Sequence, residues 1–364
     1  MRVHVHLPLR AMSTPGHGHA HMEAASVERR AAVAERWAAL AIAVDELKEG
    51  FVWADRSAMR HSGQVPGALA AEIQWRFRSF CLFLDERLGA AAPDPPAMKA
   101  ELGAKVRREL VPYLLLARLA ERLYSKPLGY AGDFLSIELI YRNVPDGHGR
   151  IGPLIDRCFL DQPAAVAVRN RRDLLAGAIG EVLAASASGA VRVTSLACGP
   201  ATELFDVYAA VSDPSRVVST VVDFERQALE FVGRRRDHLG IQPWMTLVRA
   251  NLARVVRRRQ VLPVHGQDLV YCIGLADYFG DSLVIALLDS IHEILRPGGK
   301  VIIGNFHPRN PSRALMDHVL DWRLIHRTED EMAHIFLASR FGRPCSELRF
   351  EAEGINLFAG CVKE

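Results

Sequence analysis

The chain has 364 residues, 49% of them hydrophobic, and its 45 basic and 42 acidic side chains leave a formal net charge of +3. That length and apolar share suffice for a large core, while so weak a charge excludes the strong basic field that marks a nucleic-acid binder. The longest apolar runs, residues 38–44 and 111–117, are far too short to cross a bilayer, so no membrane span is expected.

The start, "MRVHVHLPLRAMSTPGHGHAHM", holds no continuous apolar block ahead of a small-residue cleavage site and does not read as a secretory signal. Gly, Pro and Ser surround His4, His6, His17, His19 and His21, which predicts a mobile tail over residues 1–22 and no metal site. Six cysteines, at 81, 158, 198, 272, 345 and 361, show no CxxC spacing and lie mostly in apolar surroundings. Buried free thiols and a cytoplasmic protein follow as expectations, with Cys198 and Cys272 as packing residues.

From residue 23 to about Tyr124 the pattern is helical. "SVERRAAVAERWAALAIAVDEL" and "GALAAEIQWRFRSFCLFLDERLG" repeat apolar residues at three and four, and "MKAELGAKVRRELVPYLLLARLAERLY" follows the Pro-rich break at 91–96. In "SKPLGYAGDFLSIELIYRN" the residues Pro127, Gly129 and Gly132 interrupt the helices and place Tyr130, Asp133 and Phe134 on a loop. Another helix runs from about Gln162 to Ala185. Arg234 to Arg236 and Arg257 to Arg259 read as solvated helix ends.

Strand alternation begins only at Val191. Candidate strands cover residues 191–196, 217–222, 245–249, 269–273, 300–305 and 356–362, with helical patterns between most of them. Strands alternating with helices imply a doubly wound α/β domain, whose ligands sit at the carboxyl ends of the strands. The expected division is a tail over 1–22, a helical lid or substrate domain over 23–185, and the α/β domain over 186–364.

The first strand ends at "LACGPATELF", a small-residue turn that lets backbone approach a ligand while the next helix points free N–H groups at it. The string lacks the second and third glycines of a pyrophosphate loop, Pro200 removes a donor, and Glu203 on the opening helix turn would repel phosphate. A zwitterionic, phosphate-free ligand suits such a turn better, and S-adenosyl-L-methionine is one. Ala197, Cys198, Gly199, Thr202 and Glu203 are the candidates around its methionine end. Asp223, at the end of the second strand with Phe224 after it, is placed to accept from ribose hydroxyls. Asn251, followed by Leu252, offers an amide to an adenine edge, and Gly274 and Leu275 close the fourth strand.

This order of parts, with the Arg296-Pro297-Gly298-Gly299-Lys300 turn before the fifth strand, resembles the class I S-adenosylmethionine-dependent methyltransferases. The resemblance implies a seven-stranded Rossmann-like sheet, here preceded by an all-helical N-terminal domain. Ser195 stands where such chains usually carry an acidic residue, and Ala197 where they usually carry glycine. "KPLGYAGDFLSIELIY" and "GNFHPRNPSRALMDHVLDWRLIHRT" are further similar to the bacterial extracellular-factor, 3-hydroxypalmitic acid methyl ester biosynthesis proteins, which implies a GYAGD loop over the active site and a 3-hydroxy fatty acid carboxylate as acceptor. Glu138 and His326 depart from that pattern at positions where an acceptor would bind.

Candidate catalytic residues are Asn305 and His307 at the end of the fifth strand, Arg327 with His326 at the end of the next helical stretch, and Tyr130, Asp133 and Tyr141 closing the pocket from above. Phe134 and Trp322 either wall the sulfonium by cation–π contact or pack the core. The expected activity is methyl transfer to a small molecule, a carboxylate or another small acid, hydroxyl or amine, in secondary or signal metabolism. The alternative on the same fold is a cyclase or lyase that consumes the cofactor and releases methylthioadenosine. A homodimer through the N-terminal helices stands beside a monomer.

Overall fold

The computed structural model describes residues 17–186 and 189–364, with side chains from residue 29 onward. Residues 1–16 of the expected tail, including His4 and His6, lie outside the described residues. The rest of that tail is helical, because α1 already begins at His17 and runs to Arg60. Its buried positions Val33, Leu40, Val44, Leu47, Phe51, Ala54 and Ala58 follow one stripe, a first step of seven and then alternating steps of four and three. α2 (Gly67–Leu88) buries Leu69, Ile73, Phe77, Phe80 and Leu84 in the same rhythm.

The helix expected to reach Tyr124 is two helices, α3 (Pro96–Leu114) and α4 (Arg118–Ser125). Pro112 lacks an N–H for the last turn of α3, and beyond it Ala117 leaves the helical path to pair with Gly147. α5 (Phe134–Arg142), α6 (Gly152–Leu160) and α7 (Pro163–Ala185) complete the helical region. Asp133 and Phe134, expected on a loop, are the N-cap and first residue of α5.

Seven strands follow: β1 (Val191–Leu196), β2 (Val217–Asp223), β3 (Met245–Arg249), β4 (Gln267–Ile273), β5 (Leu295–Phe306), β6 (Glu347–Phe350) and β7 (Asn356–Val362). Between them lie α8 (Thr202–Ala210), α9 (Arg226–His238), α10 (Leu252–Val255), α11 (Asp281–Ile294) and α12 (Glu329–Ala338). The sheet order is β3-β2-β1-β4-β5-β7-β6. The first five strands are parallel, and β7 returns antiparallel between β5 and β6. Chain order reverses between β1 and β4, and the crevice at that switch point is where an open α/β sheet binds ligands.

β6 has no counterpart among the strands expected from sequence. Its four residues, Glu347 to Phe350, alternate polar and apolar over too short a run to mark a strand, and as a partly exposed edge they are recruited by pairing with β7. The Arg296-to-Lys300 turn is drawn into β5 as an irregular segment, where β4 and β5 slip in register between Gln267 and Leu269. A Cβ on Gly299 would lie 2.5 Å from the Gln267 carbonyl oxygen, so a side chain there would force the two strands apart.

The sheet is covered on both faces. One face packs on α10, α11 and α12 through residues such as Leu252, Leu287 and Phe336; the other packs on α7, α8 and α9 through Ile179, Leu204 and Val232. The core of α1 to α6 continues into the segment after β5, joining Phe77, Leu110 and Leu119 to Phe306, Met316 and Trp322. The helical region is thereby fastened to the β5 side of the crevice. Among the described residues no helix is long and apolar enough to cross a membrane.

Candidate active site

The turn after β1 is built from three residues in the left-handed region, Ala197 and Gly199 at φ 53° and Ala201 at φ 50°. Two of them carry a Cβ, so the turn holds backbone strain that ordinary loops avoid. It is pinned from β2: the Cys198 N–H donates to the Val222 carbonyl at 3.0 Å, and the Gly199 N–H donates to Asp223 Oδ2 at 3.0 Å. Above it lies a cavity of about 270 Å³ that opens at the carboxyl ends of β1, β2, β4 and β5.

At one end of the cavity, Asp223 takes a second N–H from Glu225 at 2.9 Å on Oδ1. Burial raises its pKa, opposed by those backbone donors. Phe224 is 47% exposed, a large apolar ring at the rim, and Tyr130 stacks obliquely on it at 5.9 Å between centroids. Leu252 and Asn251 face the same end. The Asn251 side chain also caps α10, accepting from the Arg254 N–H at 3.3 Å.

The middle of the cavity holds Arg171, projected from α7 and only 6% exposed. Its Nε lies 3.4 Å from the Tyr141 hydroxyl. Among the described residues no carboxylate lies within ion-pair distance of it, and neither terminal nitrogen has a hydrogen-bond acceptor. Burial works against its charge, but Tyr141, Asp277 and Glu203 together hold its pKa above the ordinary value. Glu203 on α8 accepts from the Tyr271 hydroxyl at 2.7 Å, and burial raises its pKa.

Toward β5 the wall becomes aromatic. Trp322 donates from its indole N–H to the Tyr278 hydroxyl at 2.8 Å, and both rings press on Gly132. A Cβ on Gly132 would lie 2.8 Å from the Tyr278 oxygen and 3.0 Å from Trp322 Cζ2. Asp277, 2% exposed, accepts the Phe306 N–H at 2.6 Å on Oδ1, and burial pushes its pKa up to about 6.

A crevice with a carboxylate at the end of β2 and a buried cation beside β4 is set on the sheet order described above. The family described as "Putative methyltransferase" matches residues 127–355. The chain belongs to that family. No curated protein matches the sequence. Among solved structures, a possible exported protein from Bordetella parapertussis is similar over 80% of this chain and 96% of its own, at 19% identity and a TM-score of 0.56. Magnesium protoporphyrin IX methyltransferase from Synechocystis PCC 6803 with bound SAM is similar over 67% of this chain and 94% of its own, at 11% identity and a TM-score of 0.44. The pyocyanin biosynthetic protein PhzM is similar over 80% and 96%, at 14% identity and a TM-score of 0.43.

Of the residues expected to hold the enzyme's cofactor, Ala197, Cys198, Gly199, Glu203, Asp223, Phe224, Asn251, Leu252, Gly274, Leu275 and Phe134 all line the cavity. Thr202 does not; its hydroxyl points to Glu138 Oε2 at 3.4 Å. Of the expected catalytic residues, Tyr130 and Tyr141 line it, while Asp133, Asn305, His307, Arg327 and the neighbouring His326 do not.

Asp133 is fully buried as the N-cap of α5, accepting from the N–H groups of Leu135 and Ser136 and from Nε and Nη2 of Arg122 at 2.8 to 3.1 Å. Asn305 and Arg327 serve each other and the backbone. Arg327 donates to Asn305 Oδ1, to the carbonyls of Ala276 and Phe279, and to Asp281, while Asn305 donates to the carbonyls of Phe306 and Ile325. Together they clamp the turn that carries Asp277 and Tyr278. They are positioning residues.

His307 bonds Glu329 through Nε2 at 2.9 Å and accepts from Arg309 on Nδ1, away from the cavity. Nor do Glu138 and His326 reach the acceptor region. Glu138 pairs with Arg142, and His326 bonds the Leu324 carbonyl and Asn310. The helical stretch expected before His326 is only a π-helical segment, Leu315–Val319, and residues 321–328 run irregularly.

Arg171, Tyr271, Asp277 and Tyr278 escaped the sequence reading. Arg171 carried a signal: with Ala164, Val168, Leu175 and Ala178 it forms the buried stripe of α7, and a charge on an apolar stripe needs a reason. Asp277 and Tyr278 carried none beyond following a strand end.

Proposed function

We propose that the enzyme transfers a methyl group from S-adenosylmethionine to a small molecule. The observation that carries this reading is Arg171, a buried guanidinium whose terminal nitrogens have no carboxylate within ion-pair distance, in a crevice whose other end offers Asp223. A buried cation without a partner is costly unless a ligand completes it. A ligand with a carboxylate at one end and a ribose diol at the other answers both.

The residues fit such a cofactor. Asp223 keeps acceptor capacity for the diol, Phe224 and Leu252 flank a base, Asn251 offers its amide edge, and Arg171 takes the methionine carboxylate as a paired donor. When bound, S-adenosylmethionine supplies a methyl group on a sulfonium that is already a good leaving group. The protein's own task is alignment and exclusion of water. Tyr130 and Gly132 of the GYAGD loop, with Phe134 at the start of α5, wall the cavity and serve the second purpose.

In this proposal residues 23–185 act as lid and substrate region and 186–364 as the cofactor region. The acceptor belongs to the small acids, hydroxyls and amines, the 3-hydroxy fatty acid carboxylate among them, within secondary or signal metabolism and without nucleic acid. Free cysteines, most of them buried, support a reducing, cytoplasmic setting. The exposed Ile42, Trp53, Met59 and Trp75 of α1 and α2 support a homodimer.

The test is calorimetric titration with S-adenosylmethionine and S-adenosylhomocysteine, then mass spectrometry of the nucleosides after prolonged incubation without acceptor. Binding with an intact cofactor is expected. Absence of binding overturns the proposal, and methylthioadenosine accumulating without acceptor replaces methyl transfer by cyclisation or lysis.

A further inference from the structure

Beside Gly274 at the end of β4 the cavity presents Arg171, and on the turn after β4, bonded to β5, it presents Asp277 near Tyr278, Phe306 and Trp322. Asp277 is anchored by one oxygen only. Oδ1 accepts the Phe306 N–H at 2.6 Å, and, its own backbone N–H aside, no other described residue donates to Oδ2. The turn that carries it is held at its flanks by Arg327 on the carbonyls of Ala276 and Phe279 and by the Ile325 N–H on the Asp277 carbonyl. The side chain is held in place while half of its hydrogen-bonding capacity stays uncommitted.

We propose that Asp277 binds the methyl acceptor and takes its proton, which narrows the acceptor classes named above to a small apolar or aromatic molecule bearing an N–H or O–H nucleophile and removes the carboxylates from them. This rests on the S-adenosylmethionine reading, in which Arg171 is occupied by the methionine carboxylate. A second carboxylate beside Asp277 would then meet an anion of its own sign in a buried site. A neutral or cationic nitrogen, or a hydroxyl, meets an acceptor atom and a wall of aromatic rings.

In the step, the acceptor nitrogen or oxygen bonds to the methyl carbon as the carbon–sulfur bond breaks and leaves its electron pair on sulfur. The proton displaced from the nucleophile passes to the Asp277 carboxylate and leaves to solvent with the product. The groups facing Asp277 are the Phe306 N–H on β5, Arg171 on α7, Arg327 ahead of α12, Cys272 on β4 and its neighbour Tyr278. Burial outweighs the two arginines and puts the carboxyl at about 6, within reach of neutral-pH proton transfer.

The experiment titrates S-adenosylhomocysteine-saturated protein with 2-phenylethylamine and with 3-phenylpropionate, which share an apolar body and differ in the sign of the head group. The amine is expected to bind at least about tenfold more tightly, the effect of one charge-assisted contact. Repeated near pH 6 in buffers of different ionisation enthalpy, its binding should release a fraction of a proton from the carboxyl. D277N keeps a side-chain oxygen for the Phe306 N–H and should lose both the preference and the proton release while retaining its affinity for S-adenosylhomocysteine. Failure of the amine to bind, equal or tighter binding of phenylpropionate, or a preference that survives in D277N would overturn the role of Asp277. Failure of S-adenosylhomocysteine itself to bind removes the cofactor reading first, which is a separate result.

Discussion

Gly274 lies against the guanidinium of Arg171: a Cβ built on it would sit 3.4 Å from Nη1, and its φ of 87° is one that side chains rarely adopt. The end of β4 thus provides both a bare backbone and a cation at the same point. That pairing suits a small zwitterion lying across the strand end, with its carboxylate on Arg171 and its remaining groups on the backbone.

Arg171→Gln should therefore weaken S-adenosylhomocysteine binding by roughly tenfold to a hundredfold, the equivalent of roughly 1.5–3 kcal/mol for hydrogen bonds to a charged group. Methylthioadenosine, which has no amino-acid carboxylate, should bind wild type and variant alike. Calorimetry with both ligands decides the matter, because an equal loss for the two would mean a general disturbance of the cavity.

Asp133 should behave as a structural residue. Asp133→Ala removes a fully buried helix cap and strands the Arg122 guanidinium, which should cost about 3 kcal/mol in urea denaturation. Under conditions where the variant is folded, its affinity for S-adenosylhomocysteine should match wild type. A stable variant with altered affinity would return Asp133 to the site.

Gly132 is the residue against which the Tyr278–Trp322 pair is set. Gly132→Ala must displace one of the two rings and should destabilise the protein by about 1–3 kcal/mol, as overpacking does. In a Trp322→Ala background one of the two clashes is gone and the Tyr278 hydroxyl, freed of its indole partner, has room to move off the added methyl, so the further cost should fall in a double-mutant cycle. Additive costs would mean that the methyl is not felt by that pair.

The acid dependence of stability has two opposing parts. Burial, with help from Arg313, lowers His326 from 6.5 to about 4 in the folded protein. Its contribution is therefore complete above pH 6.5 and is lost as pH falls toward 4. Burial raises Asp277 from 3.8 to about 6, so its contribution is complete below pH 3.8 and is lost as pH rises through 6. Each amounts to roughly 3 kcal/mol in the limit and the two have opposite signs. Wild type should show a shallow net dependence from these groups between pH 4 and 6.5. Asp277→Asn should lose stability more steeply than wild type as pH falls through that window, measured by urea denaturation at half-unit steps. Parallel pH curves for the two proteins would refute the assignment.

The sequence by itself determined the parallel sheet, the strands at 191–196, 245–249 and 356–362, and the ring of cofactor candidates from Ala197 to Leu275. These are local properties: β-branched alternation marks a strand, and in a doubly wound sheet whatever follows a strand end lies on the ligand crevice. The tertiary structure alone decided which polar side chains remain free inside that crevice. Asn305 and His307 sit at the end of β5 as expected and Arg327 joins them from the irregular segment ahead of α12, yet each finds protein partners from distant segments and is used up in holding the loop. Asp133 is consumed in the same way by Arg122. Arg171 stands out in sequence only as a charge on the apolar stripe of α7 and Asp277 not at all, and only the packing of α7 and of the turn after β4 places them in the cavity without a full set of partners. Chemistry at a buried site depends on which hydrogen-bonding capacity is left over, and what is left over depends on contacts between residues far apart in the chain.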